Sequence, residues 1–65
     1  MRILVNGDLH ESTGAGLAAL LQQLGYGESI VTTALNGEFV AVAARATTPL
    51  RDGDRVEVLA PMQGG

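Results

Sequence analysis

A stripe of four leucines in the first half of the chain constrains the fold more than any other feature. The leucines fall at positions i, i+3, i+4 and i+7, so they share one face of a helix. They are Leu17, Leu20, Leu21 and Leu24. Gly25 follows directly, where a left-handed C-terminal cap favours glycine. The other regular segments have the patterns of strands, and we therefore expect this helix to cover one face of a sheet.

Two hairpins and a final strand surround the helix in the sequence. Each hairpin is marked by an Asn-Gly pair, because both residues tolerate the positive φ that tight turns require. The pairs are Asn6-Gly7 and Asn36-Gly37. The predicted strands span residues 1–5, 9–11, 30–35, 38–40 and 55–60. The alanine-rich stretch 41–50 fits either a helical turn or a loop, and is broken at Thr48-Pro49.

The order hairpin, helix, hairpin, strand predicts an α+β fold of the β-grasp (ubiquitin-like) type. In that fold the first and last strands lie side by side and parallel, and one helix packs on one face of a mixed sheet. A chain of 65 residues forms one domain near the lower size limit for independent folding. We assign residues 1–60 to the β-grasp domain. Residues 61–65 are predicted to form a flexible C-terminal tail that ends in Gly-Gly.

Composition excludes several classes of function. The net charge is −3 and the four cations are scattered arginines, so a basic patch for nucleic acid is not expected. The chain has no cysteine for a disulfide, a thiolate metal site or a nucleophile. The longest apolar run, residues 39–44, is too short to span a membrane, and we see no signal-peptide pattern. We expect a cytoplasmic protein that is a monomer when alone and that binds neither membrane nor nucleic acid.

Candidate catalytic residues are few, and each is better explained by structure. His10 is the only histidine, and strand alternation points it away from Glu11. Asp52 and Asp54 flank a turn glycine, where aspartate serves backbone geometry. The glycines before the helix lack the Lys-Ser/Thr pair of a phosphate loop. We predict no catalytic residue, no metal site and no cofactor bound by the chain, which is therefore a carrier or interaction domain rather than an enzyme.

The last two residues, Gly64 and Gly65, are the strongest functional candidates. Two residues without side chains can pass through a narrow channel where any Cβ would clash. A free α-carboxylate at the end is a group that another enzyme can activate. We therefore assign the chemistry to Gly65 and access for the partner to Gly64, together with Gln63 and Met62.

Three segments together resemble the ThiS family of sulfur carrier proteins of thiamine biosynthesis. They are the strand entry at residues 52–58, the hairpin at residues 34–38, and the ending Met62-Gln63-Gly64-Gly65. The resemblance covers the whole chain, and the ending is its most specific part. The chain departs from the family at Ala41-Val42, where members often carry Pro-Arg.

The resemblance implies a mechanism in which partners supply the reactive groups. An adenylating (ThiF-like) enzyme activates the Gly65 carboxylate with ATP and Mg²⁺. Sulfur from a donor protein then displaces AMP and leaves a C-terminal thiocarboxylate. Thiazole synthase takes this sulfur into the thiazole ring of thiamine.

Strand alternation also predicts a docking surface for the activating enzyme. If the residues at positions 3, 5, 56 and 58 face the helix, Leu4 and Leu59 point outward. On neighbouring parallel strands these two leucines are expected to form one exposed apolar patch beside the root of the tail, which is typical of a partner anchor.

Three alternatives stay open from the sequence. The small subunit of molybdopterin synthase shares the fold and the Gly-Gly end, although it is usually longer. A ubiquitin-like modifier is a second alternative, and the absence of lysine would prevent lysine-linked chains of such a modifier. The third is a binding module that never uses Gly65.

Overall fold

The structure is a computed structural model that describes residues 1–27 and 30–60. Within these residues the chain forms five strands, one α-helix and one 3₁₀ helix. In chain order they are β1 (Arg2–Val5), β2 (Asp8–Glu11), α1 (Leu17–Gln23), β3 (Thr32–Leu35), β4 (Glu38–Val40), the 3₁₀ helix (Val42–Thr47) and β5 (Arg55–Leu59). The 3₁₀ helix shows that the ambiguous stretch 41–50 takes the helical alternative. The predicted tail, residues 61–65, lies outside the described residues, so the division at residue 60 stays a prediction.

The sheet has the strand order β2-β1-β5-β3-β4. The first and last strands are parallel neighbours, with Leu4 opposite Arg55 and Val5 opposite Val56. The remaining pairs, β1 with β2, β3 with β4 and β3 with β5, are antiparallel. The predicted β-grasp is therefore confirmed, and β5 occupies the centre of the sheet.

Both Asn-Gly pairs form the predicted hairpin turns. Asn6 and Gly7 have φ values of 50° and 87°, and Asn36 and Gly37 have values of 50° and 85°. Positive φ at both central residues defines the type I′ turn, whose twist matches that of the strands it joins. The two-residue loops fix the hairpin registers, with Val5 opposite Asp8 and Leu35 opposite Glu38.

The core lies between α1 and one face of the sheet. Three leucines of the predicted stripe are buried, namely Leu17, Leu20 and Leu21, and Leu24 packs against them at the edge. The sheet contributes the four residues expected to face the helix, Ile3, Val5, Val56 and Val58. Val31 and Leu50 complete this core from outside regular structure. The leucine stripe and the alternating strands thus account for most of the buried apolar surface.

Thr48, the residue that follows the 3₁₀ helix, binds the N-terminal end of α1. Gly16 caps α1 without a side-chain hydrogen bond, and the N–H of Leu17 donates instead to the carbonyl of Thr48 at 3.0 Å. The first N–H groups of a helix have no partner within the helix, so this contact satisfies one of them. It also fixes the segment that leads from the 3₁₀ helix into β5.

Candidate functional site

The predicted reactive residues Met62, Gln63, Gly64 and Gly65 lie outside the described residues. The chain is described as far as Ala60, one residue after β5 ends. The part of the candidate site that the structure describes is the root of the tail, which consists of the end of β5 and the open face of the sheet around it. We use "open face" for the sheet surface opposite α1.

Strand β5 alternates cleanly between the two faces. Val56 and Val58 are buried against α1, whereas Arg55, Glu57 and Leu59 are exposed on the open face. Leu59 is 66% exposed although it is a large apolar residue. The last residue of the last strand therefore presents an apolar side chain directly beside the point where the tail begins.

The expectation of a single patch made by Leu4 and Leu59 is wrong. Both residues lie on the open face, but Leu4 stands opposite Arg55 in the parallel ladder. Leu59 is four residues further along β5, roughly 13 Å away at the rise of a strand. Alternation predicts the face on which a side chain lies, but it carries no information on the register between two strands far apart in sequence.

The apolar residues of the open face instead form two separate groups. Leu4, which is half-buried, pairs with the exposed Leu9 across the first hairpin, and we name these two the hairpin patch. The second group, which we name the terminal patch, consists of Leu59, Ala34 and Phe39.

The terminal patch lines a shallow depression of about 250 Å³ at the end of β5, with Thr32 and Glu57 among its polar lining residues. Phe39 is 71% exposed, and it lies opposite Ala34 in the second hairpin. Phe39 had no surface assigned to it from the sequence, although the register set by the two-residue Asn36-Gly37 turn places it on the same face as Ala34. The terminal patch, rather than the hairpin patch, is the apolar surface next to the tail root.

Asn6 binds the end of β5 through its side-chain amide. Its Nδ2 donates to the carbonyl of Val58 at 3.0 Å, and its Oδ1 accepts from the N–H of Val58 at 2.8 Å. Its own backbone N–H donates to the carbonyl of Val56 at 2.9 Å. From the sequence, Asn6 is predicted to serve the turn alone. Its contact with Val58 has no local signal, because the two residues are distant along the chain.

Asn36 makes a comparable contact at the opposite end of β5. Its backbone N–H donates to the carbonyl of Arg55 at 2.7 Å, and its Oδ1 accepts from the N–H of Arg55 at 2.9 Å. Its Nδ2 donates to Oδ1 of Asp54 at 3.0 Å. The two turn asparagines therefore hold the central strand from both sides and at both ends.

The other candidate residues serve the backbone or stand apart. Asp52 accepts from the N–H of Arg2 at 2.6 Å, and Asp54 accepts from the N–H of Arg51 at 2.7 Å. His10 is half-buried on β2, which is an edge strand. Among residues 1–27 and 30–60, no three histidine or acidic side chains come together as metal ligands.

Val42, in the segment where the sequence departs from the ThiS pattern, begins the 3₁₀ helix and is 72% exposed.

In the part of the chain that the structure describes, no helix has the length and apolar character needed to cross a membrane.

Comparison with known proteins gives consistent results over the whole chain. The family model described as the ThiS family matches residues 3–65. The protein named sulfur carrier protein ThiS from Thermus thermophilus is 38% identical over 63 residues, which cover 97% of this chain and 98% of that protein. The crystal structure of the thiamine biosynthesis protein ThiS from Geobacter metallireducens is 38% identical, covers 100% of both chains and superposes with a TM-score of 0.81. A solution structure of a Geobacter metallireducens thiamine biosynthesis protein, 38% identical, gives a TM-score of 0.78 over 100% of this chain and 88% of that one.

Proposed function

The chain belongs to the ThiS family, and on that premise we propose that it is the sulfur carrier of thiamine biosynthesis, with Gly65 as the residue that carries the sulfur. In the first step a ThiF-like enzyme binds the carrier together with ATP and Mg²⁺. The Gly65 carboxylate attacks the α-phosphate of ATP, pyrophosphate leaves, and the carrier becomes an acyl-adenylate.

Adenylation is necessary because a carboxylate is a poor acyl donor until one of its oxygens becomes a good leaving group. Hydrosulfide (HS⁻) released from a donor protein attacks the acyl carbon through its sulfur and loses its proton, and AMP departs with the activated oxygen. The product is a C-terminal thiocarboxylate, whose sulfur passes to thiazole synthase. The chain has no cysteine, so the attacking sulfur comes from a partner. The carrier acts in the cytoplasm as the substrate of these enzymes, without catalytic residues of its own.

The observation that carries this proposal is the extent of the family match. It covers residues 3–65 and so includes Gly64 and Gly65 as well as the β-grasp. The relative named as a sulfur carrier aligns over 97% of this chain, so the likeness extends well beyond the sheet. The position of β5 adds support, because a central strand gives the tail a rigid root.

We further propose that the terminal patch is where the adenylating enzyme docks. Leu59 and Phe39 are 66% and 71% exposed, and Ala34 lies between them on β3. Large apolar side chains grouped on one surface are typical of protein contacts. Docking here would bring the partner within reach of residue 65, since a five-residue tail spans at most roughly 18 Å.

Mass spectrometry of the carrier tests the proposed chemistry. The protein is incubated with the ThiF-like enzyme, ATP, Mg²⁺ and a sulfur source, and we expect its mass to rise by the difference between one sulfur and one oxygen atom. A variant that lacks Gly65 should keep its original mass, because its carboxylate ends one residue short of the nucleotide. Equal modification of both proteins, or an amide-linked conjugate in place of the thiocarboxylate, would refute the proposal.

A further inference from the structure

The end of β5 extends beyond the strand that it pairs with on one side. The β1–β5 ladder consists of Leu4 opposite Arg55 and Val5 opposite Val56. The chain then leaves β1 in the turn at Asn6-Gly7, so β1 offers no strand residue to Val58. On its other side β5 stays paired with β3 as far as Leu59, opposite Thr32.

Val58 is the residue of β5 whose backbone N–H and C=O point toward β1 but lie beyond the end of the β1–β5 ladder. Successive residues of a strand direct their N–H and C=O groups to opposite neighbours. The carbonyls of Asp54 and Val56 accept from the N–H groups of Leu4 and Asn6, both at 2.9 Å, so even-numbered residues of this segment face β1. Both backbone groups of Val58 face the same way, and both bind the Asn6 amide, at 2.8 Å and 3.0 Å.

The Asn6 side chain therefore supplies both the acceptor and the donor that a longer β1 would offer to Val58. A side-chain amide carries an acceptor oxygen and an NH₂ donor on the same carbon, so one group can satisfy both a backbone N–H and a backbone C=O. Without this amide, neither backbone group of Val58 would have its partner in the sheet. The end of β5 would then be held from the β3 side alone.

We propose that Asn6 is a positioning residue for the tail: by binding Val58, it fixes the point and the direction at which the chain leaves the sheet toward Gly65. This inference rests on the proposed function, because it concerns delivery of the Gly65 carboxylate to the adenylating enzyme. If the end of β5 is loosened, the enzyme must order backbone residues that the sheet otherwise holds, and each of them carries an entropic cost.

The chain contains a matched control for this role. Asn36 has the same φ of 50°, also precedes a turn glycine, and also binds β5 through its side chain, but at the end away from the tail. Its amide makes two hydrogen bonds, to Arg55 and Asp54, as the Asn6 amide makes two to Val58. Asn6→Gly and Asn36→Gly both leave a Gly-Gly pair that is compatible with the type I′ turn.

The test compares kcat/KM for carrier-dependent ATP–pyrophosphate exchange by the ThiF-like enzyme. The assay is run at a temperature where melting curves show wild type and both variants fully folded. We expect Asn6→Gly to lower kcat/KM roughly tenfold, the ratio that corresponds to about 1.4 kcal/mol of added ordering cost. Asn36→Gly should stay within about twofold of wild type, as expected of a change at a surface turn. Asn6→Asp keeps an acceptor for the Val58 N–H and loses the donor, so its kcat/KM should be intermediate.

Hydrogen exchange at the Val58 amide supplies the second measurement. It should become faster in Asn6→Gly and stay unchanged in Asn36→Gly. If exchange at Val58 accelerates while Asn6→Gly and Asn36→Gly keep the same kcat/KM, Asn6 has only a structural role and the inference is overturned. If wild type itself supports no pyrophosphate exchange, the proposed function is refuted, and so is the inference that rests on it. This outcome differs from equal kcat/KM values for the two variants, which refute the inference alone.

Discussion

The guanidinium of Arg45 binds the hydroxyl of Thr33, with 3.0 Å between Nε and Oγ1. Thr33 is completely buried on the core face of β3, and its hydroxyl donates in turn to the carbonyl of Val40 at 2.9 Å. The Nη2 of Arg45 also donates to the carbonyl of Val31 at 2.6 Å. A half-buried arginine of the 3₁₀ helix thus ties that helix to the second hairpin through a partly buried polar network.

Replacing Thr33 with valine should destabilise the protein although valine has nearly the same shape and is more apolar. The change removes the acceptor for Arg45 and the donor to Val40, and we expect a loss of about 1–3 kcal/mol in the free energy of unfolding. Thr32→Val is the matched control, because Thr32 is exposed on the neighbouring position, and it should change stability by less than about 0.5 kcal/mol. Denaturant unfolding measures both, and equal effects would contradict the role assigned to the network.

Truncating the leucine stripe should remove much of the stability of so small a domain. Leu20 is completely buried, and Leu20→Ala is expected to cost about 2–5 kcal/mol through lost burial and the cavity that remains. Leu9→Ala removes the same atoms from a residue that is 62% exposed, and thermal melting should barely change. A small shift for Leu20→Ala would show that α1 does not cover the core as described.

Substitution in the two apolar patches should separate docking from general surface effects. Leu59 and Leu9 are 66% and 62% exposed, so Leu59→Ser and Leu9→Ser remove similar amounts of exposed apolar surface. We expect Leu59→Ser to weaken binding to the adenylating enzyme about tenfold, which corresponds to about 1.4 kcal/mol, and Leu9→Ser to leave the affinity unchanged. Calorimetric titration gives both Kd values. Weakening by Leu9→Ser alone would move the docking surface to the hairpin patch.

A side chain at position 64 should block activation without affecting the fold. Gly64→Val places a branched Cβ where the proposed partner holds the backbone closely, and Gly64→Ala places a single methyl group there. Position 64 follows the last strand, so we expect both variants to melt like wild type. Thiocarboxylate formation, followed by mass, should fall from wild type to alanine and be absent in valine. Full modification of the valine variant would contradict the assignment of Gly64 to access.

The sequence was sufficient to predict α1, the five strands and the buried faces of α1, β1 and β5, because each has a local cause. The leucine stripe predicted α1, the Asn-Gly pairs predicted both hairpins, and alternation predicted which side of β5 is buried. Register between strands that are distant along the chain has no such local cause. Leu4 and Leu59 were therefore placed on the correct face but wrongly in contact.

The burial of Leu50 was also not predicted. Leu50 lies between the 3₁₀ helix and β5, where no periodicity marks the buried side. Val31 lies just before β3 but continues its alternation, because Val31 and Thr33 are buried and Thr32 is exposed. The double role of Asn6 was missed for a related reason. An Asn-Gly pair has a complete explanation in the turn, and only the three-dimensional structure brings Val58 to its side chain.

The central place of β5 also governs how the chain reaches its fold. The two hairpins share no backbone pairing in the described sheet, and each is joined to the other only through β5. Val5 and Val56 must meet across about fifty residues, so closing the sheet is a slow, non-local step compared with forming either hairpin. During synthesis from the N-terminus, both hairpins and α1 are made before β5. The sheet cannot join the two hairpins until β5 is available to lie between them. Folding of the domain is thereby tied to the appearance of the segment that leads into the tail.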